Sequence, residues 1–308
     1  MKILKPKFWL KKNLLSYLLL PISHFLQIIS KIKNRLITHQ KLDLPIICVG
    51  NIYLGGTGKT PLSIKIAEIL KGTKKKPVII KKFYKKHEDE FLLIKSRNVD
   101  LLINSSRSKA VNEAINKSYD VAILDDGFQD KSIYKNLNIL CFNEKQLIGN
   151  GMTIPSGPLR ESINSIKNCQ IILINGKINK EFENKIKNLS HKISIYYSEY
   201  LPLNLDYFKN KNLLAFAGIG NPINFFNILE SGNLKIHKKI SFSDHYDYSI
   251  DELNNFIDFA EKNNLEIITT EKDYFRIKKH NLPKIKYLSI DLKIYKKEEF
   301  IKEVISYL

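Results

Sequence analysis

Cysteine is scarce, three in 308 residues, and the three form no framework. Cys48, Cys141 and Cys169 lie in or beside short apolar runs (IICVG, NILCFN, NCQIILI), with neither metal-ligand spacing nor pairing. They read as buried reduced thiols, which suits a reducing cytoplasm. Acidic residues are outnumbered, 31 against 50 Lys and Arg, for a formal charge of +19. Such an excess ordinarily suggests nucleic acid or an anionic membrane surface. Most of it is lysine scattered through a chain rich in Lys, Ile and Asn, and no aromatic-basic recognition motif accompanies it. Solvated faces are the favoured reading, and no nucleic-acid partner is expected. Internal repeats and long low-complexity linkers are absent. The apolar stretch 14–29 (LLSYLLLPISHFLQII) falls short of the ~20 residues of a spanning helix and has no small-residue cleavage site behind it. Flanked by Lys11 and Lys12 before and Lys31, Lys33 and Arg35 after, it reads as an anchor in the cytoplasmic interface of a membrane. The alternative is a helix packed on the protein's own core.

What is present suits one large or two medium α/β domains, with 44% hydrophobic content to fill them. Residues 45–50 (PIICVG) read as a buried strand ending in Gly. A Gly-rich loop follows, then 61–70 (PLSIKIAEIL) with helical periodicity and Pro just inside the helix start. Strand-like runs at 77–80, 119–124, 137–142 and 169–174 continue the alternation. The pattern predicts a parallel sheet covered by helices on both faces. A polar Lys/Asn-rich stretch near 175–211 separates it from a second, smaller α/β unit. There 213–217, 265–269 and 285–290 read as strands and 222–229 as a helix. The expected division is a membrane-associated N-terminal helix region, 1–40, a nucleotide-binding core, 41–200, and a C-terminal α/β domain, 201–308.

Chemistry concentrates on Gly55-Gly56-Thr57-Gly58-Lys59-Thr60, set between a strand and a helix. Glycines let backbone N–H groups turn toward phosphates, and the helix N-terminus adds a positive dipole end. Lys59 would reach the β- and γ-phosphates and the Thr60 hydroxyl would ligate Mg²⁺, as in a P-loop NTPase-like fold. Tyr53 and Leu54 complete the expected cradle, with Tyr53 where the full pattern has Gly. Asp125 and Asp126 end the strand-like YDVAIL, where a Mg²⁺ ligand belongs, one acid direct and one through water. An Asp-Gly turn is the alternative, disfavoured beside a phosphate loop. ATP and Mg²⁺ are therefore the expected cofactors. Three polar islands remain, 157–161 (GPLRE), 243–245 (SDH) and 270–273 (TEKD), each readable as a turn or a solvated helix start. Asp244 and His245 are readable as a base dyad or as a structural pair.

The runs VGNIYLGGTGKTP (49–61), DDGFQ (125–129), SGPLRE (156–161), AGIGNP (217–222), FSDH (242–245) and TEKD (270–273) occur in this order. Together they resemble the tetraacyldisaccharide 4'-kinase family, the lipid A pathway kinases of Gram-negative bacteria. The resemblance covers nearly the whole chain, including the basic apolar N-terminus with which that family sits on the inner membrane. It implies transfer of the ATP γ-phosphate to the 4'-hydroxyl of tetraacyldisaccharide 1-phosphate, giving lipid IVA, at the cytoplasmic face of that membrane. Lipid substrate and membrane surface are then the partners, with no obligate protein partner. Lys59 and Thr60 match the phosphate-loop positions, Asp125 and Asp126 the acidic pair, Arg160 and Glu161 the charged pair after GPL, and His245 the functional His. The family's Gly-Asp-Glu segment, whose Asp is the catalytic base working with that His, is matched by Asp89-Glu90 within His87-Glu88-Asp89-Glu90. Asp89, tuned by His245, would take the sugar-hydroxyl proton while Lys59 stabilises the transferred group. Because His245 falls in the C-terminal domain, closure of the two domains is expected. Two departures stand out. Lys81-Lys82-Phe83-Tyr84 replaces the common Ser-Arg-Gly-Tyr, with Lys82 supplying charge without bidentate geometry, and Asp130 replaces a frequent His. A P-loop kinase for a small soluble substrate and a nucleotide-dependent membrane switch are the rival readings, and the switch would need no hydroxyl base.

Overall fold

Residues Ile46–Gly50 carry no polar side chain, and such a run is stable as a strand only with both faces covered. They form β1 in a computed structural model that describes residues 6–84 and 88–308. Before β1 come α1 (Leu14–Leu18) and α2 (Leu20–Arg35); after it come α3 (Lys59–Gly72), β2 (Pro77–Lys82) and α4 (Glu88–Ser96). Next are β3 (Leu101–Asn104), α5 (Arg107–Asn116), β4 (Val121–Asp125), β5 (Leu137–Asn143), β6 (Ile171–Asn175), α6 (Lys180–Leu189) and β7 (Ser194–Pro202). The remainder is β8 (Asn212–Ala217), α7 (Pro222–Ser231), β9 (Lys235–Ser241), α8 (Ile250–Lys262), β10 (Glu266–Thr270) and α9 (Glu271–Ile277). It closes with β11 (Ile285–Leu288), β12 (Ile290–Ile294) and α10 (Lys297–Ile305).

The described strands form an eight-stranded sheet, order β12-β7-β6-β5-β1-β4-β2-β3, and a four-stranded sheet, order β11-β10-β8-β9. β1 pairs in parallel with β4 on one side and β5 on the other. The chain goes to one side of β1 first and returns on the other, which opens a crevice at the strand's carboxyl end. Ile46 and Cys48 share an apolar cluster with Ala110 and Val111 of α5 and Phe182 and Ile186 of α6. Ile47 and Val49 point the opposite way and are equally buried, so both faces of the sheet are covered. The three thiols are free and buried, and burial pushes the pKa of each up, which keeps them unreactive.

The chain divides into two compact units; one boundary, between Glu199 and Tyr200, lies a residue from the expected 200/201, and none falls at 40/41. Of the described residues, the larger holds 6–83, Val99–Glu199 and Leu292–Leu308; the smaller holds Tyr84, 88–98 and Tyr200–Asp291. Residues 6–40 thus join the core and α10 returns to it. α4 leaves the core because it packs on α9, an association sealed by the Arg97–Glu271 ion pair at 2.7 Å. The polar stretch at 175–211 carries α6 and β7 and contains the division between the units, at Glu199/Tyr200.

The segment 14–29 is divided between α1 and α2, and no helix among the described residues is long and apolar enough to cross a membrane. Its apolar side chains do not enter the core: Leu14, Leu18, Phe25, Ile28 and Ile29 are exposed, as is Ile32 beyond it. Within α2 only Ser23 is buried. Its hydroxyl lies 3.0 Å from the Thr153 carbonyl and 2.8 Å from Ser156 Oγ, and it accepts from Ser156 N at 3.1 Å. Gln27 Nε2 donates to Thr153 Oγ1 at 2.6 Å, and Trp9 Nε1 donates to the Pro155 carbonyl at 3.0 Å. The helix is held by polar contacts while its apolar side faces outward.

Candidate active site

The loop after β1 is shaped by its own side chains. Gly55 and Gly58 have φ of 124° and 91°, the left-handed region that favours glycine, with Gly56 between them. Asn51 Nδ2 donates to the Tyr53 carbonyl (2.7 Å), the Gly55 carbonyl (3.2 Å) and Thr57 Oγ1 (2.9 Å). Gln129 Nε2 ties the Asn51 carbonyl to the loop after β4 at 2.8 Å. Tyr53 is buried and bridges antiparallel to Leu159, while Leu54 N donates to the Pro158 carbonyl (2.8 Å) and Arg160 N to the Ile52 carbonyl (2.7 Å). Residues 52–54 are therefore strand-like, a conformation that accepts an aromatic side chain and has no need of glycine. The helix begins at Lys59, two residues before the expected Pro61, so Lys59 and Thr60 lie in its first turn.

The acidic pair divides its partners. Asp125, at the end of β4, accepts at Oδ2 from Thr60 Oγ1 (2.8 Å) and from Lys81 Nζ (2.6 Å). Its other oxygen, Oδ1, is buried and has no hydrogen-bond partner among the described residues. Asp126 takes φ of 60°, which turns its carboxylate toward Arg160 NH1 (3.0 and 3.1 Å) and Lys59 Nζ (3.7 Å). Burial would raise its pKa, but Lys59 and Arg160 outweigh that and hold the carboxyl below the usual range. Arg107 braces the turn, donating to the Asp126 carbonyl (2.7 Å) and pairing with Asp130 (3.1 Å). Asp130 thus supplies an ion pair at the position where the resembling family has His. Of the Lys81-Lys82 run, Lys81 is the cation that reaches the acidic pair. Lys59, Thr60, Asp125, Asp126 and Arg160 converge on one crevice, with Glu161 half-buried next in sequence.

A second polar cluster lies in the smaller unit. Thr270 caps α9, its hydroxyl accepting from Asp273 N at 3.1 Å. Asp273, fully buried, accepts at Oδ2 from Gly218 N (2.9 Å) and Thr270 Oγ1 (2.7 Å), and at Oδ1 from Tyr248 OH (3.1 Å) and Arg276 NH1 (2.6 Å). Arg276 NH2 hydrogen-bonds Asp89 Oδ2, and His245 Nδ1 is 3.7 Å from that same oxygen. Lys272 Nζ is 2.7 Å from Glu90 Oε1 and 3.4 Å from His245 Nε2. Asp244 Oδ1 lies 3.9 Å from the same ring nitrogen. Burial lowers the His245 pKa, with Lys272 adding to it, and the neighbouring carboxylates do not compensate. Asp89 and His245, expected in different domains, belong to one unit, so pairing them needs no domain closure. His87, from the same sequence run, lies outside the described residues.

Sequence reasoning did not single out Asn51, Lys81, Arg107, Gln129 or Arg276. Asn51 and Gln129 sit inside motif runs already noted and could have been found there. Arg107 and Arg276 carry no local signal, because what identifies them is a partner far along the chain.

The sequence matches the family model described as Tetraacyldisaccharide-1-P 4'-kinase over residues 15–308. It is 44% identical over 313 aligned positions to the tetraacyldisaccharide 4'-kinase of Pelagibacter ubique (strain HTCC1062), covering 99% of this chain and 98% of the relative. Identity to the Rickettsia canadensis (strain McKiel) protein of the same name is 35%, covering 91% and 90%. Among solved structures, LpxK from Aquifex aeolicus in complex with ATP superposes with a TM-score of 0.73 at 25% identity, over 96% of this chain and 99% of that one.

Proposed function

The chain belongs to the tetraacyldisaccharide 4'-kinase family, and on that premise we propose how its residues carry out the transfer. The reaction moves the γ-phosphate of ATP to the 4'-hydroxyl of tetraacyldisaccharide 1-phosphate, giving lipid IVA. The residue assignment rests on one observation above all: Asp125 and Asp126 engage Thr60, Lys59 and Arg160 at the carboxyl ends of β1 and β4.

Backbone N–H groups of residues 55–60 and the N-terminus of α3 receive the phosphates. Lys59 exchanges its long contact with Asp126 for a phosphate oxygen and stabilises the transferred group. Tyr53 and Leu54 keep the loop's approach fixed through the bridged segment 158–160, which also delivers Arg160 and Glu161 to the nucleotide side. Asp125 Oδ1, anionic, buried and unpartnered beside the Thr60 hydroxyl, fits a hard cation with oxygen ligands. Thr60, Asp125 and Asp126 would hold Mg²⁺, which when bound offsets charge on the phosphate oxygens.

Asp89 accepts the proton of the 4'-hydroxyl as its oxygen forms the new bond to phosphorus and ADP leaves, with His245 beside it. Phosphate binding and proton acceptance belong to different units, so the transfer needs both. The acyl chains of the substrate resist leaving a bilayer by about 0.8 kcal/mol per CH₂. The outward apolar side of α1 and α2, followed by Lys31, Lys33 and Arg35, suits the anionic cytoplasmic leaflet of the inner membrane.

Purified protein, Mg-ATP and tetraacyldisaccharide 1-phosphate in detergent should yield a product heavier by one phosphate. Lys59→Ala and Asp126→Ala should each lower kcat/KM by about 10²–10³ without loss of fold. A Lys59→Ala enzyme with undiminished transfer overturns the assignment.

A further inference from the structure

We propose that Lys272 and Arg276 are positioning residues that fix the protons of the Asp89–His245 pair. In this arrangement Asp89 is ionised with Oδ1 presented to the acceptor hydroxyl. His245 is a neutral imidazole whose proton is on Nδ1. The proposal rests on the reading of Asp89 as the base and deepens it.

What each group can donate decides where the protons sit. An ammonium has three donors and no acceptor. Lys272 Nζ stands 3.4 Å from His245 Nε2, so Nε2 must be the bare nitrogen for the contact to be attractive. The ring proton is left to Nδ1, which faces Asp89 Oδ2 at 3.7 Å. A doubly protonated ring would press a cation against Lys272. Among the described residues, charged groups face His245 from three directions: Lys272 on α9, Asp89 and Glu90 on α4, and Asp244 on its own loop. Burial and Lys272 together lower its pKa, in agreement with the neutral form.

Arg276 does the corresponding work on the carboxylate. A guanidinium stays charged throughout the working pH range, and Arg276 sets that charge against Asp89. Arg276 occupies Oδ2, the oxygen also faced by His245, while Oδ1 is buried and has no partner among the described residues. One carboxylate oxygen is committed and the other is open. The cations are themselves held: Arg276 by fully buried Asp273 at 2.6 Å, Lys272 by Glu90 at 2.7 Å. Arg276 cannot swing away without leaving fully buried Asp273 short of its cation. When the hydroxyl oxygen bonds to phosphorus and the ADP oxygen departs, its proton passes to Asp89 Oδ1. His245 gains and loses none.

Two measurements on the full chain test this. In wild-type protein with ¹⁵N-labelled histidine, the His245 resonances (assigned by their loss in His245→Gln) should show the Nδ1–H tautomer near pH 7.5. An Nε2–H ring or an imidazolium overturns the proposal. In Lys272→Met, His245 should protonate more easily, so the acidic limb of the kcat/KM profile should move up by about one pH unit. That is a loss approaching tenfold only at pH values well below the wild-type limb, with little change near pH 8.5. Lys272→Arg, which restores the cation, should return the wild-type profile. Asp89→Asn separates the two layers. If it still transfers phosphate, the base reading fails; if it is inactive while the Lys272→Met limb does not move, the positioning proposal alone fails.

Discussion

Replacing Lys81 with methionine should expose how much of the nucleotide site depends on one buried ion pair. Lys81 and Asp125 are 6% and 0% exposed at the side chain and 2.6 Å apart. At an effective dielectric of about 20, that separation corresponds to roughly 6 kcal/mol of attraction, much of it offset by desolvation of the two ions. Methionine keeps the length and apolar stem but leaves the carboxylate buried with only the Thr60 hydroxyl. Stranding a buried charge in this way costs about 3–5 kcal/mol, or roughly 10 °C in melting temperature for a protein of this size. The assay is thermal unfolding without magnesium, followed by the same scan with Mg-ATP. Lys81→Met should melt well below wild type in the first scan and recover part of the difference in the second, because the cation replaces the lost charge. Lys81→Met with Asp125→Asn, which removes both charges, should melt above the single variant. A double variant no more stable than Lys81→Met would show that the stranded charge is not the cause.

Acid titration gives a second check. Asp126 is held below the ordinary carboxylate pKa, so its stabilising contribution is complete above the unfolded value of about 4 and fades as pH falls through the lower folded value. The stability difference between wild type and Asp126→Asn should be constant above about pH 5 and vanish in strong acid; a difference that grows below pH 4 contradicts the assignment. For the membrane surface, Leu18→Glu with Phe25→Glu removes two exposed apolar groups and adds two negative charges. Partition into vesicles containing anionic lipid should fall at least tenfold, by about 1.4 kcal/mol or more, and unchanged binding would remove α1 and α2 from the docking surface.

The loop of residues 55–60 and the acidic pair it meets were legible in the sequence because their signals are local. Gly55 to Thr60, the strand before them and Asp125-Asp126 are contiguous words, and apolar runs such as IICVG have no stable home except a covered sheet. The elements that escaped notice have weak patterns. β3 is four residues long and mostly half-buried, so LLIN between polar neighbours gives little signal. α6 buries only Phe182 and Ile186 in a Lys/Asn-rich segment, one helical turn apart. The placement of α4 escaped for a different reason: it lies between two core strands in sequence but packs on α9, nearly two hundred residues later. The same distance hid Arg276, whose bond to Asp89 spans 187 positions. Tyr53 looked like a fault in the loop until its pairing with Leu159 gave it a strand's geometry.

The buried hydroxyl of Ser23 has a practical bearing on how this protein can be handled. Cutting away residues 1–40 is the natural way to make a greasy enzyme soluble. Here that cut also strips Trp9, Ser23 and Gln27 from residues 153–156, the segment leading into the bridged stretch that carries Arg160 and clasps the phosphate loop. A truncated enzyme would then lose ATP affinity for reasons unrelated to lipid. Solubility is better sought by repainting Leu14, Leu18, Phe25, Ile28 and Ile32 with polar side chains while the serine and its neighbours are left alone.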